Sequence, residues 1–280
     1  MAFIDGGTEL FGIIGKPVRH SLSPVMHNAA FASLGMNRIY VPMEVSDVRQ
    51  AMNGLRSLGF CGASVTVPHK ETVIPMLDLI DPVAGQIGAV NTLRLQRDSA
   101  GKVLVQGFNT DWQGSNAALT AVQIDLQQSR VVVAGAGGAA KAVAFGVKQA
   151  GAEVVITNRT AASGKKLAAW LGCEFVALDD LAWVQADVLV NTTSVGMEPD
   201  TDGIIVQPAL LPKFAVVMDI VYAPLETRLL REAKAAGCRT VDGLAMLLHQ
   251  GAEQFRIWTG VAAPVLLMRT AMEYALRRKE

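Results

Sequence analysis

The sequence predicts an α/β chain in two domains, and three observations carry that prediction. Strand-like and helix-like stretches alternate from Leu10 to Asp111. A second series begins at Val131, where a short apolar strand runs into a glycine turn and then a helix. The chain has 280 residues, which suits two domains, although one large α/β domain would also accommodate it. The expected division is 1–111, 112–242 and 243–280, the last segment being helices that fold back on the first domain.

The elements follow in order. Residues 10–14 read as the first strand, and residues 15–24 as a loop. Residues 25–34 have helical spacing, with Met26, Ala30 and Leu34 on one face, and Gly35 closes that helix. Residues 39–45 form the next strand, in which Pro42 points to a sheet edge or a strand start. Ser46 and Asp47 cap a helix that runs to Leu58 and ends at Gly59. Residues 62–67 are a third strand leading into Pro68, His69 and Lys70. Residues 70–79 read as a helix, broken by the Asp81–Pro82 turn. Residues 89–95 and 103–108 pair through a turn at Asp98 to Gly101. Asn109, Thr110 and Asp111 then open a helix towards Val122, and Ser21 and Ser23 are candidate caps for the helix after Pro24.

The middle of the chain is organised by Val131, Val132, Val133 and Ala134, a short buried strand. Gly135, Gly137 and Ala140 follow in the spacing G-x-G-x-x-A, and residues 141–148 have helical periodicity. Gly135 permits a tight turn, Gly137 lets the backbone approach a pyrophosphate, and Ala140 lets helix and strand pack closely. The helix start offers free N–H groups to an anion. Residues 153–156 are the next strand, completing a right-handed βαβ unit of the Rossmann type. At the end of that second strand an NAD site usually carries a carboxylate for the ribose hydroxyls. Here Asn158, Arg159 and Thr160 stand instead. Arg159 is either a solvated loop arginine or the anchor of a 2′-phosphate, with Thr160 donating a hydroxyl and Lys165 and Lys166 adding positive potential. The missing carboxylate favours NADP. Beyond it come a helix at 163–171, a strand at 186–190 and the polar loop 191–197. A strand at 215–220, a helix at 227–236 and two helices within 243–278, broken near Gly260 and Pro264, complete the chain.

Composition excludes several classes. Half of the residues are hydrophobic and 26 are glycine, as in packed α/β structure. The 25 basic and 25 acidic residues balance, leaving no basic field for nucleic acid or an anionic membrane. Cys61, Cys173 and Cys238 are scattered, which suggests a reducing compartment and no metal cluster. No signal peptide and no bilayer-spanning apolar run is legible, so a soluble cytoplasmic protein is expected. His20, His27, His69 and His249 lack metal-ligand spacing. Lys70 lies at a strand-to-helix junction, where partial burial would let it exchange a proton. Asp111 is either a helix cap or a functional carboxylate. From these residues alone the reading is an NADP-binding protein and an oxidoreductase.

Taken together, the motifs resemble the shikimate dehydrogenase family. They are Ser21 to Pro24, Val65 to Lys70, Gly88 to Thr92, Asn109 to Asp111, Gly135 to Ala140, Asn158 to Thr160, Asp219 to Tyr222 and Asp242 to Gln250, and they span nearly the whole chain. The resemblance implies an N-terminal substrate domain, a middle Rossmann domain and returning C-terminal helices. It implies reversible NADPH-dependent reduction of 3-dehydroshikimate to shikimate in aromatic amino-acid (chorismate) biosynthesis. Ser21 and Ser23 then hold the substrate carboxylate, Thr66, Asn91 and Gln250 bond the ring oxygens, and Tyr222 joins the substrate site. Lys70 and Asp111 form the catalytic pair, either of them being the final proton donor. Gly135, Ala136, Gly137, Gly138, Ala139, Asn158, Arg159, Thr160, Thr193, Val221, Gly243 and Met246 are the implied cofactor residues. The family's NADP members often carry a further arginine after Arg159, where this chain has lysines. The 219–225 and 247–255 stretches are also similar to quinate/shikimate dehydrogenases, so NAD as a secondary cofactor and quinate as a substrate stay open. Trp112, bulky beside Asp111, is either packing or a shaper of the site. A non-catalytic ligand sensor is the alternative of another class, but Lys70 and Asp111 are both present. No nucleic acid or membrane partner is implied, and the assembly is open between monomer and homodimer.

Overall fold

A computed structural model of the chain describes residues 4–278. The chain divides into two compact units, residues 1–110 with 250–280, and residues 111–249.

The first unit is built on β1 (Glu9–Gly15), α1 (Ser23–Ser33), β2 (Arg38–Glu44), α2 (Val48–Ser57), β3 (Phe60–Val65), β4 (Leu79–Ile80), α3 (Pro82–Ile87), β5 (Thr92–Arg97) and β6 (Val103–Phe108). Its six-stranded sheet has the order β2-β1-β3-β5-β6-β4. The β1, β2 and β3 pairings are parallel, and β5 pairs antiparallel with both β3 and β6. Pro42 does lie on an edge strand, where its missing N–H breaks no ladder on the open side. Strand alternation separates the two faces. Leu10, Ile14, Ala63 and Val65 join Met52 and Leu55 of α2 in one core. Phe11, Gly62 and Ser64 look the other way.

Several expectations need correction. Residues 70–79 are not an α-helix: turns lead to a single 3-10 turn, Ile74–Met76, followed by β4. Pro75 supplies no N–H to a helical ladder, and Asp78 is drawn to β6, where its carboxylate accepts from the Val105 N–H at 2.8 Å. Asp81–Pro82 is a helix start rather than a stop, because the Asp81 carboxylate accepts from Val83 and Ala84 N–H. Neither Ser21 nor Ser23 caps α1. That helix begins at Ser23 with Leu22 at the cap position, and the Ser21 hydroxyl accepts from the Ser23 N–H.

The second unit contains α4 (Asp111–Ala121), β7 (Arg130–Ala134), α5 (Gly138–Gln149), β8 (Glu153–Thr157), α6 (Ala161–Leu171), β9 (Glu174–Phe175), β10 (Val188–Asn191), β11 (Val216–Asp219), α7 (Arg228–Ala235) and β12 (Arg239–Val241). Its sheet is all parallel in the order β12-β11-β10-β7-β8-β9. Numbered within the unit this is the doubly wound Rossmann order, with its switch point between β7 and β10. Both faces are covered, so β7 is apolar from Val131 to Ala134: Val131 and Val133 pack with α5, and Val132 packs with α7. Gly146 brings α5 against Trp112 of α4, and Trp112 meets Phe145 edge-on at 6.2 Å. Trp112 is therefore a packing residue of the helix pair.

The last helices are α8 (Gly243–Thr259) and α9 (Val265–Arg277). The division between the units falls inside α8, after His249, rather than at Gly243. The reason is burial: Ala245 and Met246 belong to the same core as Val131 and Val216. From Gln250 onward α8 packs within the first unit. A side chain on Gly251 would overlap Met26 of α1, and Trp258 lies over Gly62 of β3 and donates to the Leu93 carbonyl at 2.9 Å. None of the described helices is long and apolar enough to cross a membrane.

Candidate active site

In the first unit the site grows from the ends of β1 and β3. Gly15 ends β1, and a Cβ there would overlap Thr66, so only glycine lets the two strand ends close together. Thr66 is half-buried and its N–H bonds the Ile14 carbonyl. Lys70 is half-buried too, and its carbonyl accepts from the Val90 N–H at 2.8 Å, fixing the lysine backbone beside the segment that leads through Asn91 into β5. Ser21 is half-buried in the loop after β1, and Ser23, the first residue of α1, is buried.

Asn91 is the centre of a buried polar cluster. Its Nδ2 donates to Thr110 Oγ1 at 2.9 Å and Gln250 Oε1 at 3.3 Å. Its Oδ1 accepts from the Thr110 N–H at 2.9 Å and the Thr92 hydroxyl at 2.7 Å. Asn91, Thr92, Thr110 and Gln250 are all buried. Such a network fixes which way each amide points, because only one orientation satisfies every partner. It thus brings together two of the residues singled out in the sequence, Asn91 and Gln250, from positions 159 apart.

In the second unit the candidate nucleotide site lies at the switch point. Gly135 has φ 128°, a region left to glycine, and a Cβ there would overlap the Thr192 hydroxyl. Gly137 caps α5 in extended backbone, with open space where its side chain would stand. The first turn of α5, from Gly138 through Ala139 and Ala140, has no preceding helical carbonyls to bond. After β8 the Asn158 amide donates to the Thr160 carbonyl at 2.9 Å and to Ser163 Oγ at 2.8 Å. Asn158 therefore shapes the loop from which Arg159 and Thr160 stand exposed. The helix α6 follows at Ala161, two residues earlier than its periodicity suggests.

The polar loop after β10 is anchored by a buried carboxylate. Asp219 Oδ1 accepts from Asn191 Nδ2 at 2.9 Å and the Val221 N–H at 3.0 Å, and its Oδ2 accepts from the Thr227 hydroxyl at 2.7 Å. Burial pushes Asp219 up to about 6, against the pull of those three donors. Thr193 donates to Asn191 Oδ1 at 2.7 Å and accepts from the Val195 N–H at 3.1 Å. Gly243 lies against the carbonyls of Ile220 and Val221, which leaves no space for a side chain. Val221 and Met246 are buried in the same unit, and burial raises the phenol pKa of the half-buried Tyr222.

A relative from Methanosarcina mazei, a shikimate dehydrogenase (NADP(+)), is 45% identical over 286 residues, covering 96% of this chain and 99% of its own. The chain belongs to the shikimate dehydrogenase family. Family models match in three parts: the shikimate dehydrogenase substrate binding domain over residues 13–93, shikimate / quinate 5-dehydrogenase over 116–200, and the shikimate 5′-dehydrogenase C-terminal domain over 243–273. A solved shikimate dehydrogenase in complex with NADP+ is 39% identical, with TM-score 0.91 and 98% of each chain covered. The shikimate 5-dehydrogenase of Thermus thermophilus, in complex with NADP(H) and shikimate, is 40% identical, with TM-score 0.87 over 96% of this chain and 100% of that one.

Within this member of the shikimate dehydrogenase family the sequence reasoning passed over several buried polar residues: Tyr40, Ser64, Thr110 and Gln254. Two of them left a local signal. Thr110 stands between Asn109 and Asp111, and Gln254 lies four residues beyond Gln250, one turn along the same helix face. Ser64 and Tyr40 left none, since a serine or tyrosine in a strand is ordinary.

Proposed function

We propose that this chain carries out the reversible reduction of 3-dehydroshikimate to shikimate with NADPH. The observation that carries the proposal is the buried Asn91–Thr110–Gln250 cluster. A polyol ring needs several neutral amide and hydroxyl partners held at fixed angles, and this cluster supplies them pre-oriented. In this reading Ser21 and Ser23 hold the substrate carboxylate, Thr66, Asn91 and Gln250 hold the ring oxygens, and Tyr222 adds a phenol. Lys70 and Asp111 are the catalytic pair. As the ring ketone is reduced its oxygen gains negative charge, which a protonated Lys70 stabilises; Lys70 and Asp111 together manage the proton.

The second unit fits NADP. The open space at Gly137, the first turn of α5 and the glycine-only turn at Gly135 suit a pyrophosphate held by Gly135, Ala136, Gly137, Gly138 and Ala139. Asn158, Arg159 and Thr160 suit the 2′-phosphate end, and Thr193, Val221, Gly243 and Met246 line the remainder in this reading. NADPH supplies the hydride. The three cysteines are all unpaired thiols, in keeping with a cytoplasmic setting. The assay is the initial rate of oxidation of shikimate and quinate, each with NADP and NAD. Activity with shikimate and NADP is expected, and inactivity of all four pairs in folded protein overturns the assignment. Lys70→Ala should lower kcat by a factor on the order of 10² or more while leaving NADPH binding intact, and near-normal turnover would remove its catalytic role.

A further inference from the structure

We infer that Gln254 is a positioning residue for substrate binding, acting through Asn91; the inference rests on the reading of Asn91 as a partner of the ring oxygens. Gln254 is 1% exposed and lies in the first unit, on the turn of α8 after Gln250. Its Nε2 donates to the Asn91 carbonyl at 3.2 Å and to Thr92 Oγ1 at 3.0 Å. The Thr92 hydroxyl, so held, donates onward to Asn91 Oδ1 at 2.7 Å. One carboxamide therefore controls Asn91 twice, directly at its backbone and through Thr92 at its side-chain oxygen.

Gln254 is itself held from the sheet. Its Oε1 accepts from Ser64 Oγ at 2.9 Å, and Ser64 Oγ accepts from the Tyr40 hydroxyl at 2.6 Å. Acceptor and donors at Gln254 are thereby assigned: the oxygen faces β3 and the nitrogen faces Asn91. The opposite flip would set the amide nitrogen against the Ser64 donor and its oxygen against the Asn91 carbonyl. Ser64 lies just before Val65, whose N–H also bonds the Asn91 carbonyl at 2.8 Å. The chain Tyr40–Ser64–Gln254–Thr92 thus ends on the oxygen of the Asn91 amide, and its polarity leaves Nδ2 as the end of that amide shared with Thr110 and Gln250. Removing Gln254 leaves Thr92 free to rotate and withdraws its hydroxyl from Asn91 Oδ1, so that the Thr110 N–H is left to hold that oxygen and the amide that meets the substrate is held less rigidly.

The test is Gln254→Met, which keeps length and volume and removes both polar ends. Kinetic constants are measured for shikimate and for NADP separately, beside melting temperature, and the same is done for Asn91→Ala and the double variant. Gln254→Met should raise the KM for shikimate by about tenfold, the equivalent of one weakened hydrogen bond, with kcat and the KM for NADP each within about threefold. The double variant should be no worse than Asn91→Ala alone, since Gln254 has nothing left to position. Ser64→Ala, a smaller change in the sheet, should move the same KM in the same direction by about threefold and serves if Gln254→Met does not fold. An unchanged KM for shikimate in a folded Gln254 or Ser64 variant overturns the inference while leaving the role of Asn91 intact. So do equal rises for both substrates, or effects that multiply in the double variant. An Asn91→Ala enzyme with an unchanged KM overturns both the inference and the reading beneath it.

Discussion

His27 makes the first unit sensitive to acid. Its imidazole is 0% exposed, stacked on Tyr40 at 4.7 Å and tilted against Trp258 at 5.1 Å, with Phe31 and Phe255 completing the aromatic surround. Neither ring nitrogen reaches hydrogen-bond geometry with a partner among the described residues. Burial pushes the imidazole from 6.5 down to about 3, and the nearby Gln254 amide offsets only part of that. The unfolded chain takes up a proton below about pH 6.5, whereas the folded chain does not until about pH 3. The stability contributed by neutral His27 is therefore present above that unfolded value and lost as the pH falls. The slope is about 1.4 kcal/mol per pH unit, so at about pH 5 the loss is about 2 kcal/mol, a sizeable part of the roughly 5–15 kcal/mol that holds a domain together. The perturbation is His27→Leu, which keeps an apolar side chain in an apolar surround. At neutral pH it should change stability by no more than about 1 kcal/mol, because it also removes two unpartnered buried nitrogens. Urea unfolding at about pH 7 and about pH 5 then compares the two proteins; every other titrating group is common to both and cancels. The native protein should lose about 2 kcal/mol more than the variant across that interval. Parallel losses in the two proteins would refute the reasoning.

The remaining predictions concern the second unit. Asp219, raised to about 6 from 3.8, keeps its proton in the folded chain where the unfolded chain has released it. Its contribution is complete below about pH 4 and declines as the pH rises through about 6, by up to about 3 kcal/mol. Asp219→Asn should be flat across that window relative to the native protein, and an unchanged pH profile of unfolding would count against a protonated Asp219. Gly135→Ala forces a side chain into φ 128° and against the Thr192 hydroxyl, so it should cost about 3 kcal/mol and abolish NADP binding. A melting temperature within about 2 °C of the native value would show that the turn is not glycine-dependent. Arg159→Ala should weaken NADPH binding by about tenfold or more and spare NADH; titration of both cofactors checks it, and equal losses would remove the 2′-phosphate role.

The sequence by itself determined whatever depends on neighbours along the chain. The turn at Gly135 was legible because its backbone conformation excludes every other residue type. The Rossmann unit was legible because a buried parallel strand must be apolar on both faces, as Val131 to Ala134 are. The order of the motifs identified the family before any contact was visible, and Asn91 and Gln250, two residues that the motifs singled out, do meet. Where local signals conflicted, the sequence misled: residues 70–79 have helical composition, but Pro75 and the attachment of Asp78 to Val105 draw them into turns and a short strand. Only the tertiary structure decided the polar interior of the first unit. Ser64 and Gln254 are 190 residues apart, and nothing near either of them in the chain specifies the other. They meet because Gly62 admits Trp258 and Gly251 admits Met26, which sets α8 at the depth where its second glutamine reaches β3. Periodicity reports which face of an element is buried; which polar groups satisfy one another on that face is fixed by the register between elements, and that register exists only once the helix has docked.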